Sequence, residues 1–430
     1  MGVVSSMSTA ISGLEANGEM LGVITDNIVN ANTNGFKRSR AEFQDILAQN
    51  TGAGGTSGKQ IGRGTRVAGI TSVLTQGSIT NTDRPTDLAI NGNGFFVVKG
   101  GQKGQTYTRD GSFRFDKDGW LTNLNGNRVQ AYQASPDGTV TGELGDIRIP
   151  YNTIAAKATN KVQLHVNLDA RMPVTTELDI TNPEETSQFT TAMQIYDSVG
   201  NARPISLYFN KISEGNWEFK AMTDGANLQG ETAGSPSVVA QGNLLFNEQG
   251  QLQSVDQAVV NSNFTGGAIP DQELNFNFGD PIDNLGTGQV GTTSYGSKSA
   301  NFRAIQDGFA AGVLADTSIN EDGIMTGVYT NGENRTLGQI AVARFESTER
   351  LQKVGENQFR ETVESGQPLV GKANTNGRGV LLPSSIESSN VDLAAEFVDM
   401  IKAQRGFQAS AKSISTSNEM LDEIINLKRG

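Results

Sequence analysis

The apolar residues at both ends of this chain recur with the spacing of a coiled coil, which limits the possible folds more than any other feature. In residues 1–30 the series advances by alternating steps of three and four, and only Gly18 and Thr25 interrupt its apolar character. Such a seam predicts an α-helix over 4–28 that packs one face against a partner. We expect the helix to stop near Asn34-Gly35, where glycine can cap it. The predicted seam residues are Val4, Met7, Ile11, Leu14, Leu21 and Ile28.

The C-terminal residues 388–430 carry the same alternation. No proline follows Pro383, so a helix of about 35 residues is expected. Ser389 and Asp392 have the spacing of a capping box, and Asn390 is another possible cap. The predicted seam residues are Leu393, Phe397, Met400, Phe407, Ile414, Leu421 and Ile425. Each terminal helix could be a surface helix on its own core, but matching heptads at both ends favour a coiled pair whose ordering depends on packing against a partner.

The middle of the chain has the pattern of short β-strands. Helical periodicity is absent between about 70 and 385, and a Gly-rich segment at 48–66 predicts a flexible connector. A second β-rich stretch begins near Lys161, where apolar and polar residues alternate and place His165 on a polar, solvated face. Four turn dipeptides at hairpin spacing indicate a β-sandwich or barrel. These dipeptides are Asp110-Gly111, Asp118-Gly119, Asn125-Gly126 and Asp137-Gly138.

The composition argues against most catalytic and binding chemistry. The 430 residues include no cysteine and one histidine, which excludes disulfides, thiolate catalysis and sites that need two histidines. With 34 basic and 46 acidic residues the net charge is −12, which disfavours nucleic acid as a partner. No apolar run approaches the length of a membrane span. We therefore expect no catalytic residue, no cofactor, no metal, no nucleic acid and no membrane insertion.

Three short motifs resemble functional sites but lack necessary residues. Gly54–Lys59 resembles a phosphate loop, yet Ala53 and Gln60 replace its first glycine and its metal-binding hydroxyl residue. Asp116 and Asp118 resemble part of a calcium loop whose first and last ligands are missing. The adjacent pair Glu184-Glu185 could serve glycoside hydrolysis only in a cleft, and neighbouring acids on a loop are usually solvated.

Three motifs carry a resemblance to a family. The segment 30–37 (NANTNGFK) resembles the signature that follows the first helix of bacterial flagellar axial proteins of the rod and hook class. The segment 87–96 (DLAINGNGFF) resembles the entry into their shared β-domain, and 389–429 resembles their C-terminal helix. The residues that match are Asn30, Asn32, Asn34, Gly35, Phe36, Asn91, Gly92, Gly94, Phe95, Gln404 and Arg405.

The resemblance implies a mainly β fold with long terminal α-helices and nested, discontinuous domains. A helical coiled-coil base would support two β-sandwich or barrel-like domains. The implied divisions are a helical domain at 1–30 and 388–430, a linker at 31–70, an inner β-domain at 71–150 and 300–387, and an outer β-domain at 151–299.

Within this family the chain looks most like the hook branch, because rod members are shorter and lack an inserted second β-domain. The resemblance implies a self-assembling tube that bends as a universal joint and transmits motor torque to the filament. Implied partners are other copies of the chain, the distal rod, the hook cap, the hook-filament junction proteins and the flagellar type III export apparatus. The implied location is the extracellular flagellum, reached without a cleaved signal peptide. The alternatives are another axial protein (distal rod or hook-associated) and a secreted β-rich carbohydrate-binding protein.

Overall fold

The computed structural model describes residues 2–46, 49–50, 60–100, 104–135, 138–149, 153–260 and 262–427. The predicted flexible connector 48–66 lies outside these ranges except at 49–50 and 60–66, and the loop Gly54–Lys59 and Asp137 lie outside them entirely. The fold class is confirmed: the chain is mainly β, with a long helix at each end.

The two terminal helices pack against each other. They are α1 (Gly2–Val29) and α3 (Leu393–Leu427), and α2 (Pro183–Thr186) is a single turn. The predicted length of about 35 residues for α3 is confirmed. The expected end of α1 near Asn34 is wrong, because the helix tightens into turns after Val29, with the Ala31 amide donating to the Ile28 carbonyl at 3.2 Å.

The cap of α3 also differs from expectation. Asp392 caps the helix, since its carboxylate accepts from the amide of Ala394 at 2.9 Å. Asn390 instead accepts from the amide of Arg38 at 2.8 Å and donates to the carbonyl of Val73 at 2.8 Å. The Ser389–Asp392 capping box is therefore wrong, and Asn390 joins α3 to the segment that follows α1.

The described residues between the two terminal helices form twenty-nine strands. The first thirteen are β1 (Ser39–Asp45), β2 (Gln49–Asn50), β3 (Gln60–Ile61), β4 (Thr65–Ser72), β5 (Ile79–Asn81), β6 (Leu88–Asn91), β7 (Phe95–Gly100), β8 (Gly104–Thr108), β9 (Arg114–Phe115), β10 (Leu121–Thr122), β11 (Arg128–Ala134), β12 (Val140–Asp146) and β13 (Thr153–Ile154). The next eight are β14 (Lys161–Asn167), β15 (Phe189–Tyr196), β16 (Ala202–Ser213), β17 (Asn216–Asp224), β18 (Pro236–Phe246), β19 (Leu252–Val259), β20 (Asn275–Asn277) and β21 (Ala300–Gln306). The last eight are β22 (Gly312–Ile319), β23 (Ile324–Tyr329), β24 (Asn334–Arg344), β25 (Gln352–Gly355), β26 (Gln358–Arg360), β27 (Leu369–Lys372), β28 (Val380–Pro383) and β29 (Ser385–Glu387).

The chain divides into two compact units. Unit 1 comprises Met1–Pro150, Thr317–Gly327 and Arg335–Gly430, and unit 2 comprises Tyr151–Asp316 and Val328–Asn334. Both units are therefore discontinuous in sequence. The finer division into a helical base, an inner β-domain and an outer β-domain stays a prediction.

Unit 1 holds the helix pair and an antiparallel sheet with the strand order β24-β11-β7-β8-β26-β25. Its larger core contains Phe96 and Phe113, whose rings meet edge to face with centroids 5.0 Å apart. Three short pairs, β1–β4, β6–β28 and β5–β29, bring the segments next to the two helices together. Residues from both ends of the sequence therefore share one structure.

Unit 2 contains the antiparallel meander β15-β16-β17-β18-β19 and the three-stranded sheet β20-β14-β21. Its core is rich in aromatic residues, and the rings of Phe219 and Phe278 lie 4.6 Å apart between centroids. The alternation along β14 is confirmed, with Val162, Leu164 and Val166 fully buried. His165, however, is half-buried rather than solvated.

The predicted hairpin turns are mostly present. Gly119 and Gly126 follow Asp118 and Asn125 with φ of +81° and +78°, between β9, β10 and β11. Gly138 has φ +83° before β12. Asp110-Gly111 is not a hairpin turn: the carbonyl of Gly111 accepts from the amide of Leu88 at 3.0 Å and ties this segment to β6.

Candidate functional site

The contact between α1 and α3 is made by small and polar side chains. Ala16 and Ala403 are almost fully buried. A Cβ added at Gly13 would lie 3.0 Å from the hydroxyl of Ser410, and one at Gly406 would lie 2.7 Å from the amide oxygen of Asn17. The absence of side chains at these glycines therefore allows the two backbones to approach closely.

The predicted seam residues are only partly covered in the single chain. Among those with a described environment, none is fully buried. Half-buried seam residues are Met7, Leu14, Leu21, Ile28, Met400, Phe407, Ile414 and Leu421. Exposed seam residues are Val4, Ile11, Leu393, Phe397 and Ile425. The single chain thus brings part of each seam to the helix pair and leaves the rest open to solvent.

Further apolar side chains on α3 are exposed, and heptad reasoning did not include them. Val398, Ile401, Met420 and Ile424 are each between 51% and 56% exposed. A helix in a soluble protein normally buries a stripe of such residues. The exposed apolar surface of α3 is therefore wider than the predicted seam.

A buried ion cluster lies where the segments next to α1 and α3 meet. We call Lys37, Arg109 and Glu387 the Glu387 cluster. The Glu387 carboxylate lies 2.5 Å from the Lys37 ammonium and 3.3 Å from the Arg109 guanidinium. Lys37 also donates to the carbonyl of Thr75 at 2.7 Å, and the amide of Gly77 donates to Glu387 at 2.8 Å. The cluster joins the chain after α1, the end of β8 and the strand that precedes α3.

Burial makes the charges in this cluster depend on one another. Burial lowers the pKa of the Lys37 ammonium below its ordinary value, and the nearby Glu387 carboxylate opposes that shift. Burial likewise lowers the pKa of the Arg109 guanidinium, against the same opposing carboxylate. A buried charge without its partner is costly. The three side chains therefore stabilise this junction only as a set.

Residues of the first family-like motif build the turn between α1 and the cluster. Gly35 has φ +67°, and a Cβ there would overlap the backbone nitrogen of Asp110. Its amide donates to the backbone carbonyl of Glu387 at 2.7 Å. Phe36 is buried, and the Lys353 ammonium lies 4.9 Å from its ring centroid. The backbone geometry thus requires glycine at position 35, and the buried, cation-facing pocket explains the aromatic residue at position 36.

The asparagines of this motif have separate roles. The amide group of Asn30 donates to the carbonyl of Asp26 at 2.9 Å and its oxygen accepts from the hydroxyl of Thr33 at 3.2 Å. The backbone carbonyl of Asn34 accepts from the side chain of Asn357 at 3.0 Å. Asn32 is exposed. Two of the three asparagines therefore hold the turn.

The second motif meets the Glu387 cluster through Arg109. The guanidinium donates to the carbonyl of Gly92 at 2.7 Å and lies 5.3 Å from the ring centroid of Phe95, which is fully buried. A Cβ at Gly94 would overlap the side chain of Val342. Asn91 pairs with Val380 in the β6–β28 ladder. The two motifs, far apart in sequence, are parts of one junction.

A second polar link ties α1 directly to α3. Asn27 is buried and its side chain donates to the carbonyl of Ser39 at 2.8 Å and to the carboxylate of Glu396 at 3.2 Å. Glu396 also lies 3.5 Å from the guanidinium of Arg38. No sequence pattern singled out Asn27 or Glu396, because both are polar and lie outside the two apolar series. Gln404 and Arg405 of the third motif are exposed on α3.

The other short motifs noted in the sequence take part in local structure within the described ranges. No group of three or more His, Asp or Glu side chains that could hold a metal occurs there. The Asp116 carboxylate accepts from the amides of Asp118 and Trp120, both at 2.9 Å, and so closes a turn. Glu184 and Glu185 lie in the first turn of α2. In the part of the chain that the structure describes, no helix is both long and apolar enough to cross a membrane.

Four family signatures match successive parts of the chain. They are "Flagella basal body rod protein" over 7–37, "Flagellar hook protein FlgE/F/G D1 domain" over 89–169, "Flagellar basal body protein FlaE D2 domain" over 167–309 and "Flagellar basal body rod FlgEFG protein C-terminal" over 382–427. The first and last matches contain most of the two helices that form the candidate site.

Full-length relatives agree with these signatures. The flagellar hook protein FlgE of Treponema pallidum (strain Nichols) is 34% identical over 471 residues, covering 99% of this chain and 100% of the relative. That of Escherichia coli (strain K12) is 33% identical over 434 residues, covering 98% and 100%. The crystal structure of Helicobacter pylori flagellar hook protein FlgE2 has a similar fold, with a TM-score of 0.51 and 15% identity over 70% of this chain and 98% of that chain.

Proposed function

The chain belongs to the flagellar hook protein family and is a structural subunit of the bacterial flagellar hook, and we propose that the seams of its two terminal helices join neighbouring subunits of that polymer. The observation that supports this role is the apolar surface left open on the helix pair. Leu393 and Phe397 on α3 are 43% and 50% exposed. Apolar surface of this kind is stabilised when a second chain removes it from water.

The rest of the subunit suits the role of a joint. The Glu387 cluster fixes the chain segments next to both helices to the sheet of unit 1. Each subunit would then present its helices in one fixed orientation, while contacts between other surfaces could be remade as the tube bends. Wet polar contacts can be exchanged at low free-energy cost. We propose that this combination transmits motor torque to the filament through a curved, flexible tube, without any catalytic activity.

The remaining partners follow from the family. We propose that the chain meets the distal rod at one end of the hook and the cap or the hook-filament junction proteins at the other. We also propose that it leaves the cell through the flagellar type III export apparatus without a cleaved signal peptide. The absence of cysteine from all 430 residues suits a chain that travels unfolded and forms no disulfide on the way.

Truncation tests the assembly role. Variants that lack residues 1–30 or 388–430 keep Lys37, Arg109 and Glu387, so we expect each to be soluble and to keep its β-structure by circular dichroism. Neither should form tubes under conditions where the complete chain does, as seen by negative-stain electron microscopy. Tubes from either truncated chain would show that the terminal helices are not the assembly surface.

A further inference from the structure

An exposed leucine stands at the tip of a tightly bonded loop in unit 2. Leu285 follows a short 3-10 turn (Ile282–Asn284), has φ +64° and is fully exposed. The left-handed region is unusual for a bulky residue and carries a conformational cost. A glycine or an asparagine would fit this backbone with less strain. Because Leu285 is fully exposed, no packing against the described residues compensates for this cost.

The loop that carries Leu285 is held firmly by its own hydrogen bonds. We call residues 280–291 the 280–291 loop. Asp280 donates its amide to the carbonyl of Val290 at 2.9 Å and its carbonyl accepts from Gly288 at 2.9 Å. Its carboxylate accepts from the amide of Thr287 at 3.1 Å. Ile282 and Val290 add two further exposed apolar side chains. The loop is thus a preorganised apolar knob.

An apolar groove of about 480 Å³ lies on the same unit. Its lining includes Phe276 and Ile305, and Ile305 is 47% exposed. Lys161 is also part of the lining and is exposed, whereas Asp307 at the same groove already pairs with Lys157 at 3.0 Å. The groove therefore combines apolar lining with an exposed cation.

The knob and the groove lie at opposite ends of one strand. The groove is at the start of β14, where Val162 pairs with Gln306. The 280–291 loop is at the other end, where the amide of Thr293 donates to the carbonyl of Val166 at 2.9 Å. At about 3.3 Å per residue, the four residues from Val162 to Val166 separate the two landmarks by about 13 Å along β14. A knob and a socket at opposite ends give a head-to-tail contact, the kind that generates open helical polymers rather than closed dimers.

We propose that the 280–291 loop of one subunit, led by Leu285, docks into the Phe276–Ile305 groove of unit 2 in a second copy of the chain. The inference rests on the proposed polymer and goes beyond the helix seams. Charge supports this pairing, since Asp283 is exposed on the loop and Lys161 at the groove. The contact runs from unit 2 to unit 2 and adds a longitudinal link that does not involve the terminal helices.

Disulfide trapping tests the contact directly, because the natural chain has no cysteine. A chain with Leu285→Cys and Ile305→Cys is polymerised, oxidised and analysed by denaturing electrophoresis without reductant. We expect a ladder of covalent oligomers, since each chain contributes one knob and one groove. An intramolecular disulfide would leave the chain at the mass of a monomer, so each band above the monomer reports a bond between two chains. The matched control combines Leu285→Cys with Val174→Cys, whose residue is exposed to the same degree as Ile305 (48% against 47%) and is not part of the groove lining.

A substitution test separates assembly from folding. Leu285→Gly removes the knob and relieves the left-handed strain, so the melting temperature of unit 2 should stay the same or rise. The critical concentration for polymerisation should rise about tenfold. Polymers that form without a ladder above the control, or an unchanged critical concentration in Leu285→Gly, would overturn the inference alone. An unmodified chain that forms no polymer would overturn both this inference and the proposed function.

Discussion

At the scale of single residues, one carboxylate decides how the ends of the chain meet. Glu387 faces two cations, Lys37 and Arg109, and all three side chains are almost entirely out of water. Replacing a whole buried ion cluster by apolar groups can be harmless, but removing one member leaves the others uncompensated. Glu387 ends β29, the last strand before α3, and its loss would leave both buried cations of unit 1 without this partner.

We predict that Glu387→Gln lowers the free energy of unfolding of unit 1 by about 3–5 kcal/mol, the usual cost of breaking a buried pair. A Trp217→Phe background leaves Trp120 as the only tryptophan, so fluorescence in urea reports unit 1. Glu364→Gln is the control, because its ion pair with Arg350 at 3.1 Å is mostly exposed and should contribute at most about 1 kcal/mol. Equal effects of the two substitutions would contradict the prediction.

His165 gives unit 2 a dependence on pH. Burial lowers the pKa of its imidazole below the usual range, and the nearby Arg303 guanidinium adds to the shift. As the pH falls, the unfolded chain takes up this proton first, so folding loses stability from about pH 6.5 down to the lower pKa of the folded state. The neutral ring is the form that β14 accommodates, with its Nε2 buried and without a hydrogen-bond partner among the described residues.

We predict that unit 2 is less stable at pH 5.5 than at pH 7.5, and that the difference shrinks in His165→Gln. The measurement is urea denaturation in a Trp120→Phe background, where the buried Trp217 reports unit 2. Because His165 is the only histidine, the carboxylates are the same in both chains and their titration should cancel in the comparison. An identical pH dependence in the two chains would rule out His165 as the cause.

Sequence reasoning at this scale found glycines and aromatic residues but missed the buried charges. Gly35 and Phe95 belong to recognisable motifs, and the structure gives each a steric reason. Lys37 and Glu387 are 350 positions apart, and no local pattern pairs a cation with a carboxylate over that distance. Such a pair forms only where strands from the two ends of the chain meet. The hydrophobic periodicity of a single sequence gives no information about which distant strands pair.

At the scale of elements, the terminal helices use two different faces. Small residues such as Gly13 and Gly406 face the partner helix in the same chain, while larger apolar residues lie to the side. The heptad pattern predicted both helices and the length of α3, because a strict 3/4 spacing is a strong helical signal. It did not predict which face would be used within the chain, since glycine and alanine carry little weight in a pattern of large apolar residues.

This division of faces leads to a prediction for α3. Phe397→Asp should leave the monomer folded, because the side chain is 50% exposed, but should raise the critical concentration for polymerisation at least tenfold by placing a charge in the proposed seam. Val398→Asp is the matched control, as its residue is 51% exposed on the same helix but outside the seam. Helicity by circular dichroism checks folding, and sedimentation of polymers gives the critical concentration.

The two variants distinguish a narrow seam from a broad contact. If Val398→Asp impairs polymerisation as strongly as Phe397→Asp, the whole exposed face of α3 is the interface and the seam has no special role. Normal assembly of both variants would show that this part of α3 does not join subunits. Either result leaves the packing of α1 on α3 within the chain unaffected.

At the scale of the whole molecule, the charge is divided very unevenly. Unit 2 contains 8 basic and 19 acidic residues, a net −11, whereas unit 1 contains 26 and 27, a net −1. The overall −12 is thus almost entirely a property of unit 2. When subunits assemble, like charges on neighbouring copies of unit 2 repel one another, and this repulsion opposes the apolar contacts that hold the polymer together.

We therefore predict that salt favours assembly and that unit 2 is the source of the effect. Screening shortens electrostatic interactions to about 8 Å at 0.15 M ionic strength, so the critical concentration should fall as salt is added. A chain with four acids of unit 2 neutralised should polymerise at lower concentration and respond less to salt. The four positions are Glu184, Glu185, Asp256 and Glu273, changed to glutamine or asparagine.

The matched control neutralises four exposed acids of unit 1 and changes the net charge of the chain by the same amount. Its positions are Asp83, Glu143, Glu346 and Glu349. Light scattering at several salt concentrations gives the critical concentration of each chain. If repulsion between copies of unit 2 is the opposing force, only the unit 2 variant should lose its salt response, because removing charge from the nearly neutral unit 1 relieves little repulsion. An equal loss in both chains would mean that total charge matters and its location does not.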